Sequence, residues 1–253
     1  MILLLGGTQE AGVLAGRLKA AGKPFITTVT SDYGMQLARE QSAQVVRKCL
    51  DRQSLVQLIR DKGINIIIDI THPYAEEISK LASAVAEEMG IEYYRYERPA
   101  VVGGDPLVEK VDSYEEAAVK AVQLAFKNKG NIFLTIGSKR LVPFVAEAQK
   151  LGVRVVARVL PDADVLRQVF ALGLTPKDVI AVLGPFSHSL NKAMFEDYGA
   201  GVVVTKDAGS VGGADTKISA ALELGIPVLV IKRPETLGKN VFTVIDEILR
   251  RVI

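Results

Sequence analysis

The chain has 253 residues, 49% of them hydrophobic and 24% charged, which excludes a disordered chain and fits one large domain or two of ordinary size. With 31 basic and 29 acidic residues the formal net charge is +2, so bulk charge marks the protein for neither nucleic acid nor a membrane surface, although local basic clusters can still meet an acidic ligand. The one cysteine, Cys49, excludes an internal disulfide framework, suits a reducing cytoplasm, and reads as a half-buried thiol.

Met1-Ile2-Leu3-Leu4-Leu5 is too short for a membrane span and lacks a basic leader, so residues 2–5 read as a first strand. Helix follows at 9–21, strand at 25–29, helix at 33–40, strand at 44–47 and helix at 52–62. Residues 65–69 form an isoleucine-rich strand, apolar throughout, as in a parallel sheet covered on both faces. A helix over 75–89 and a strand over 92–95 complete a β-α-β-α series, which implies a doubly wound sheet with right-handed crossovers. Two glycines and a proline in Val101-Val102-Gly103-Gly104-Asp105-Pro106 mark a boundary. Beyond it the alternation resumes. Strands are expected near 108–111, 131–135, 153–158, 178–183, 201–205 and 227–231. Helices are expected near 113–126, 138–150, 162–172, 188–198, 214–224 and 241–252. The expectation is an α/β protein of two Rossmann-like domains. Residues 1–102 would bind nucleotide and 103–253 substrate, with a cleft between them.

Five strand-end segments carry candidate chemistry. Gly6-Gly7-Thr8-Gln9-Glu10-Ala11-Gly12 follows the first strand and opens a helix. Glycines there admit a pyrophosphate, and the helix N-terminus attracts it. The spacing is not GxGxxG, and a plain tight turn is the alternative. The second strand ends in Thr28-Val29-Thr30-Ser31-Asp32. Thr30 and Ser31 suit a 2′-phosphate, hence NADPH; Asp32 keeps NADH open, and Ser31-Asp32 as a helix cap is the other reading. In Asp69-Ile70-Thr71-His72-Pro73-Tyr74-Ala75, His72 and Tyr74 are placed to donate a proton or hydrogen bond, while Asp69 and Thr71 as caps are the bland reading.

Thr135-Ile136-Gly137-Ser138-Lys139-Arg140 sets a hydroxyl and two cations at the start of a helix, an anion site or a solvated cap. Gly184-Pro185-Phe186-Ser187 with His188 and Asn191 follows another apolar strand. No G-x-S-x-G surrounds Ser187, so hydrolase chemistry is disfavoured. The fifth segment runs from Lys206-Asp207-Ala208-Gly209-Ser210 through Gly212-Gly213 to Lys217. Its amides and lysines suit an anion, and a flexible loop is the alternative. One Cys and two His give no zinc spacing, so no protein-bound metal is expected.

Taken in order, Gly6-Gly7-Thr8-x-Glu10-Ala11, Asp69-x-Thr71-His72-Pro73-Tyr74-Ala75, Thr135-Ile136-Gly137, Gly184-Pro185-Phe186-Ser187 with Asn191, and Lys206-Asp207-Ala208-Gly209 through Gly212-Gly213 to Lys217 resemble the precorrin-6A reductase family of cobalamin biosynthesis. Gly225-Ile226-Pro227-Val228 and Arg233-Pro234 extend the resemblance over nearly the whole chain. It implies reduction of one double bond of the precorrin-6A or cobalt-precorrin-6A macrocycle by a nicotinamide hydride. Any cobalt would belong to the substrate. The resemblance assigns Gly6, Gly7, Thr8 and Glu10 to the cofactor, with Thr30 and Ser31 at its ribose. Ser138, Lys139, Ser187, Lys206, Ser210 and Lys217 would hold the anionic tetrapyrrole, and His72 and Tyr74 would serve as acids. No nucleic-acid or membrane partner is implied; monomer and dimer both remain open.

Two other readings stand beside it. A short-chain-type oxidoreductase would carry Tyr-x-x-x-Lys, and none of the seven tyrosines is so followed. A non-catalytic nucleotide sensor would bind the cofactor without turnover.

Overall fold

The computed structural model describes the chain except for residues 30–34, 36–37, 40–43, 48–49, 100–103, 208, 210–213 and 234–239. Cys49 and most of the expected helix at 33–40 lie outside the described residues. The chain divides into two units. One comprises residues 1–98 and 234–253, and the other residues 99–233.

The first unit holds a six-stranded parallel sheet. Its strands are β1 (Ile2–Leu5), β2 (Phe25–Val29), β3 (Val45–Arg47), β4 (Ile66–Asp69), β5 (Glu92–Tyr96) and, from the end of the chain, β12 (Val241–Phe242). They lie in the order β12-β5-β4-β1-β2-β3. The helices are α1 (Gln9–Ala20), α2 (Arg52–Lys62), α3 (Glu76–Met89) and α9 (Ile245–Val252). Apolar runs form these strands because both sheet faces are covered. Ile2, Leu4, Ile68 and Tyr94 pack with α1 and α9, while Leu3, Leu5, Ile67 and Tyr93 pack with α2 and α3.

The second unit repeats the plan with β6 (Val108–Val111), β7 (Asn131–Leu134), β8 (Val155–Val159), β9 (Val179–Ala181), β10 (Ala200–Lys206) and β11 (Val228–Ile231). Their order is β6-β11-β10-β7-β8-β9. Its helices are α4 (Tyr114–Lys127), α5 (Val142–Leu151), α6 (Ala163–Ala171), α7 (His188–Asp197) and α8 (Ala214–Glu223). Ile132, Leu134, Val202 and Val204 pack against α4 and α5. Phe133, Val156, Val203 and Val230 face α7 and α8, with Phe133 edge-on to Phe195 at 4.9 Å between centroids.

Both sheets share one logic. In the first, β1, β2 and β3 wind outward, and the chain then returns to lay β4 on the other side of β1. In the second, β7, β8 and β9 wind outward and β10 returns beside β7. The reversals fall between β1 and β4 and between β7 and β10. Open α/β sheets take ligands at the carboxyl ends of such strand pairs.

Three expectations need correction. The boundary falls between Arg98 and Pro99, and residues 234–253 belong to the first unit, not to a second domain running 103–253. Val241 and Phe242 pair with Arg95 and Tyr96 of β5, and Ile248, Leu249 and Val252 enter the core of β1 and α1. A two-residue strand is too short to show a period, and an amphipathic helix does not name the sheet it will cover. The expected helix at 241–252 accordingly begins only at Ile245. The helix expected from 138 begins at Val142, where Pro143 sits in the first turn and favours a start there.

Candidate active site

In the first unit, β1 runs straight into Gly6-Gly7-Thr8. A Cβ at Gly6 would stand 2.9 Å from Thr27 Cγ2 on β2, so this position must lack a side chain. Gly7 has φ +102, a backbone state favourable only to glycine, and faces open space. Thr8 Oγ1 accepts from Ala11 N at 3.2 Å, capping α1, and donates to the Ile70 carbonyl at 2.9 Å. That second bond ties the turn after β1 to the loop after β4, the two sides of the switch point. The turn thus has small residues, an open backbone face and the N-terminus of a twelve-residue helix, which fits the diphosphate of a dinucleotide.

Glu10 lies in the first turn of α1 and is buried. Both its oxygens are taken by Arg98, which donates Nε at 2.5 Å and a terminal nitrogen at 2.8 Å. Glu10, which the resemblance assigns to the cofactor, thus forms a bidentate buried ion pair. Thr30 and Ser31, expected at the ribose, lie outside the described residues.

The loop after β4 rests on a second buried pair. Asp69 Oδ1 accepts from Arg95 at 2.6 Å, from Thr71 Oγ1 at 2.7 Å and from Thr71 N at 3.0 Å. Its Oδ2 accepts from Tyr93 OH at 2.7 Å. Burial, and then the negative charge of Asp69, raise the Tyr93 phenol well above its usual range, so it stays a donor. Asp69 and Thr71 therefore brace their own loop instead of capping α3, whose N-cap, Ala75, makes no side-chain bond. On this brace His72 is exposed and Tyr74 half-buried. Tyr74 N donates to His72 Nδ1 at 3.3 Å, and the rings lie 5.7 Å apart. With Nδ1 accepting, a neutral His72 carries its proton on Nε2.

The second unit gathers cations. Lys206, the last residue of β10, holds its ammonium 5.9 Å from the centroid of the Tyr114 ring; Arg140 approaches the same ring at 5.6 Å. Burial lowers Lys206 to about 8, with Lys139 and Arg140 adding repulsion. Lys217, in α8, is lowered to about 8 by burial, then by Arg158 and Lys206. Five cations thus act on one another around the carboxyl ends of β7, β8 and β10.

Arg158, on β8, is buried and lowered to about 10 by desolvation alone. It donates to Asn191 Oδ1 at 2.8 Å and stacks on Phe186 at 4.5 Å; no carboxylate among the described residues forms an ion pair with it. Asn191 Nδ2 in turn donates to the Ser187 carbonyl at 2.9 Å, and Ser187 Oγ caps α7 by accepting from Leu190 N at 3.2 Å. Ser138 and Lys139 lie in the turn before α5, not at its first residues. Ser210 lies outside the described residues.

A family model described as precorrin-6x reductase CbiJ/CobK matches residues 1–252. The chain belongs to this family. It is accordingly an oxidoreductase of cobalamin biosynthesis that acts on a C=C bond of the precorrin-6A macrocycle with a nicotinamide cofactor. Among curated relatives, the cobalt-precorrin-6A reductase of Priestia megaterium is 37% identical, covering 100% of this chain and 98% of its own. That of Methanocaldococcus jannaschii is 36% identical, with 99% and 97% covered. A solved structure of a CobK precorrin-6A reductase superposes with TM-score 0.77 at 24% identity, covering 99% of this chain and 95% of its own, and supports the fold.

Two features of this reductase escaped the sequence reading. Arg158 sits inside Val155-Val156-Ala157-Arg158-Val159, and Arg95 inside Glu92-Tyr93-Tyr94-Arg95-Tyr96. A lone arginine within a buried parallel strand was the available signal, because such a charge needs a partner, a ligand or both. Among the described residues no group of three or more His, Cys, Asp or Glu is placed to hold a metal ion, and no helix is long and apolar enough to cross a membrane.

Proposed function

We propose that the chain reduces cobalt-precorrin-6A with NADPH in the cytoplasm, the first unit holding the cofactor and the second holding the macrocycle by its carboxylates. The observation that carries this division of labour is the gathering of Lys139, Arg140, Arg158, Lys206 and Lys217 at one sheet end, where Lys206 and Lys217 are both pushed down to about 8. Burial first, and then mutual repulsion, disfavours these charges; an anionic ligand offsets both, and a tetrapyrrole bearing acetate and propionate groups is such a ligand. The cobalt form is favoured by the relatives of 36–37% identity over the whole chain, which carry that name.

Gly6 and Gly7 give the cofactor diphosphate room, and Thr8 holds the turn against Ile70. Thr30 and Ser31 are assigned to the ribose phosphate. When bound, the nicotinamide supplies the hydride. The ring carbon beside the reduced position takes a proton, for which His72 Nε2 and the Tyr74 hydroxyl are the assigned donors. Ser138, Lys139, Ser187, Lys206, Ser210 and Lys217 are assigned to the substrate, and Arg158 joins them. Their role is to fix the ring so that the two transfers reach adjacent carbons.

Anaerobic turnover tests the reading, following loss of reduced-nicotinamide absorbance with NADPH or NADH and with either ring. The expected result is turnover with NADPH and the cobalt form. Turnover confined to the metal-free ring, or as fast with NADH, overturns the finer assignment. Replacing His72 by Asn should lower kcat by about 100-fold, with little change in KM, if its imidazole is the acid.

A further inference from the structure

Glu10 presents a physical problem. The N-terminus of α1 carries partial positive charge and free amides, which suit a dinucleotide diphosphate. A carboxylate in the first turn of that helix competes for the same field and repels the same ligand. Helix stability alone would favour the bare acid, because negative charge near an N-terminus is stabilising. Packing alone would favour an apolar side chain, because a buried ion pair is seldom better than a well-packed hydrophobic group. The structure has neither. Glu10 is 7% exposed, and Arg98, 88 residues along the chain, fills both of its oxygens at 2.5 and 2.8 Å.

We infer that Arg98 is a positioning residue that masks the charge of Glu10, so that the first turn of α1 is fixed in place while its N-terminus stays attractive to the cofactor diphosphate. The paired guanidinium cancels the carboxylate close to where the diphosphate would lie, and the parallel geometry holds the turn from beyond the end of β5. The pair therefore joins two functions that a single residue cannot join. It anchors the first turn of α1, next to the glycine turn, through a strong polar contact, and it adds no net charge there. Arg98 also ends the first of the two chain segments that make up this unit, so the anchor comes from the point where the chain leaves β5 for the second unit. The inference rests on the reading that Gly6-Gly7-Thr8 receives the dinucleotide.

Equilibrium binding of NADPH to the full chain, followed by nicotinamide fluorescence, separates masking from simple anchoring. Glu10→Gln keeps a hydrogen-bond acceptor for Arg98 and removes the negative charge; masking predicts binding about three- to fivefold tighter. Arg98→Met exposes the carboxylate to the ligand and should weaken binding about tenfold. The double variant Glu10→Gln/Arg98→Met is neutral again and should return to within about twofold of the parent. If Arg98→Met does not fold, Glu10→Gln and the double variant still decide the question, with thermal unfolding as the check on folding. A purely anchoring pair gives the opposite pattern, with weaker binding in Glu10→Gln and the weakest in the double variant, and that result overturns the inference. A parent chain that binds no NADPH overturns the cofactor reading itself, and the inference falls with it.

Discussion

The two units share a strand plan and differ in how they treat buried charge. In the first, each buried acid at the switch point meets its own arginine: Glu10 with Arg98 and Asp69 with Arg95. In the second, Asp207, just past β10, is likewise buried against Arg233 at 2.8 Å, but the cations Lys139, Arg140, Lys206 and Lys217 press on one another and Arg158 leans on an amide and a phenyl ring. A neutral, braced framework suits a ligand held largely by backbone amides at a glycine turn. A surplus of cations suits a ligand that brings many carboxylates of its own. The first switch point thus cancels its buried charge, while the second carries cations beyond its Asp207–Arg233 pair.

Breaking a pair in the first unit should have the largest effect. Asp69→Ala leaves Arg95 and Tyr93 buried without their shared partner, and should cost about 3–5 kcal/mol in urea unfolding, with turnover falling as the His72 loop loses its brace. An unfolding free energy within about 1 kcal/mol of the parent would show that the network is incidental.

The cation cluster should respond to pH in two opposed ways. Lys206 and Lys217 are held at about 8, below the ordinary lysine value of 10.5. Their charge is present below about 8 and is lost above it, so affinity for the anionic ring should fall as pH rises through 8 to 9. The unfolded chain binds more protons than the folded one between about 8 and 10.5, so stability without ligand should climb across that window. Lys217→Met should raise KM for the ring about tenfold at pH 7 and flatten part of both profiles. Affinity that is constant from pH 7 to 9.5 would remove these lysines from ring binding.

The smallest effect sharpens the contrast most. Arg158→Met deletes a buried cation whose described contacts are Asn191, Met194 and Phe186, so stability should stay within about 1 kcal/mol of the parent or rise, while KM for the ring increases severalfold. A loss of about 3 kcal/mol instead would make Arg158 a structural residue like Arg95.

Much of this was visible in the chain. Leu3, Leu5, Ile67 and Val203 sit in runs that only a doubly covered strand explains, and both sheets lie where those runs fall. Gly6-Gly7-Thr8 was readable because a strand, a glycine turn and a cap follow one another locally. Lys206 and Lys217 were readable as cations flanking a glycine-rich loop, but their depressed proton affinity was not. That depends first on burial, and then on Arg158, Lys139 and Arg140, which β8 and the turn before α5 bring alongside.

The sequence by itself determined the period of the elements, the parallel class of the sheets and the turn that opens α1, since each is written in residues a few positions apart. The tertiary structure alone decided that Glu10 meets Arg98, that Asp69 meets Arg95, and that Val241 and Phe242 close the first sheet. Those contacts follow from strand order, and strand order is set by which apolar faces cover which sheets. An amphipathic stripe such as that of α9 states that it must be buried without stating where, so only the folded chain could choose the partner.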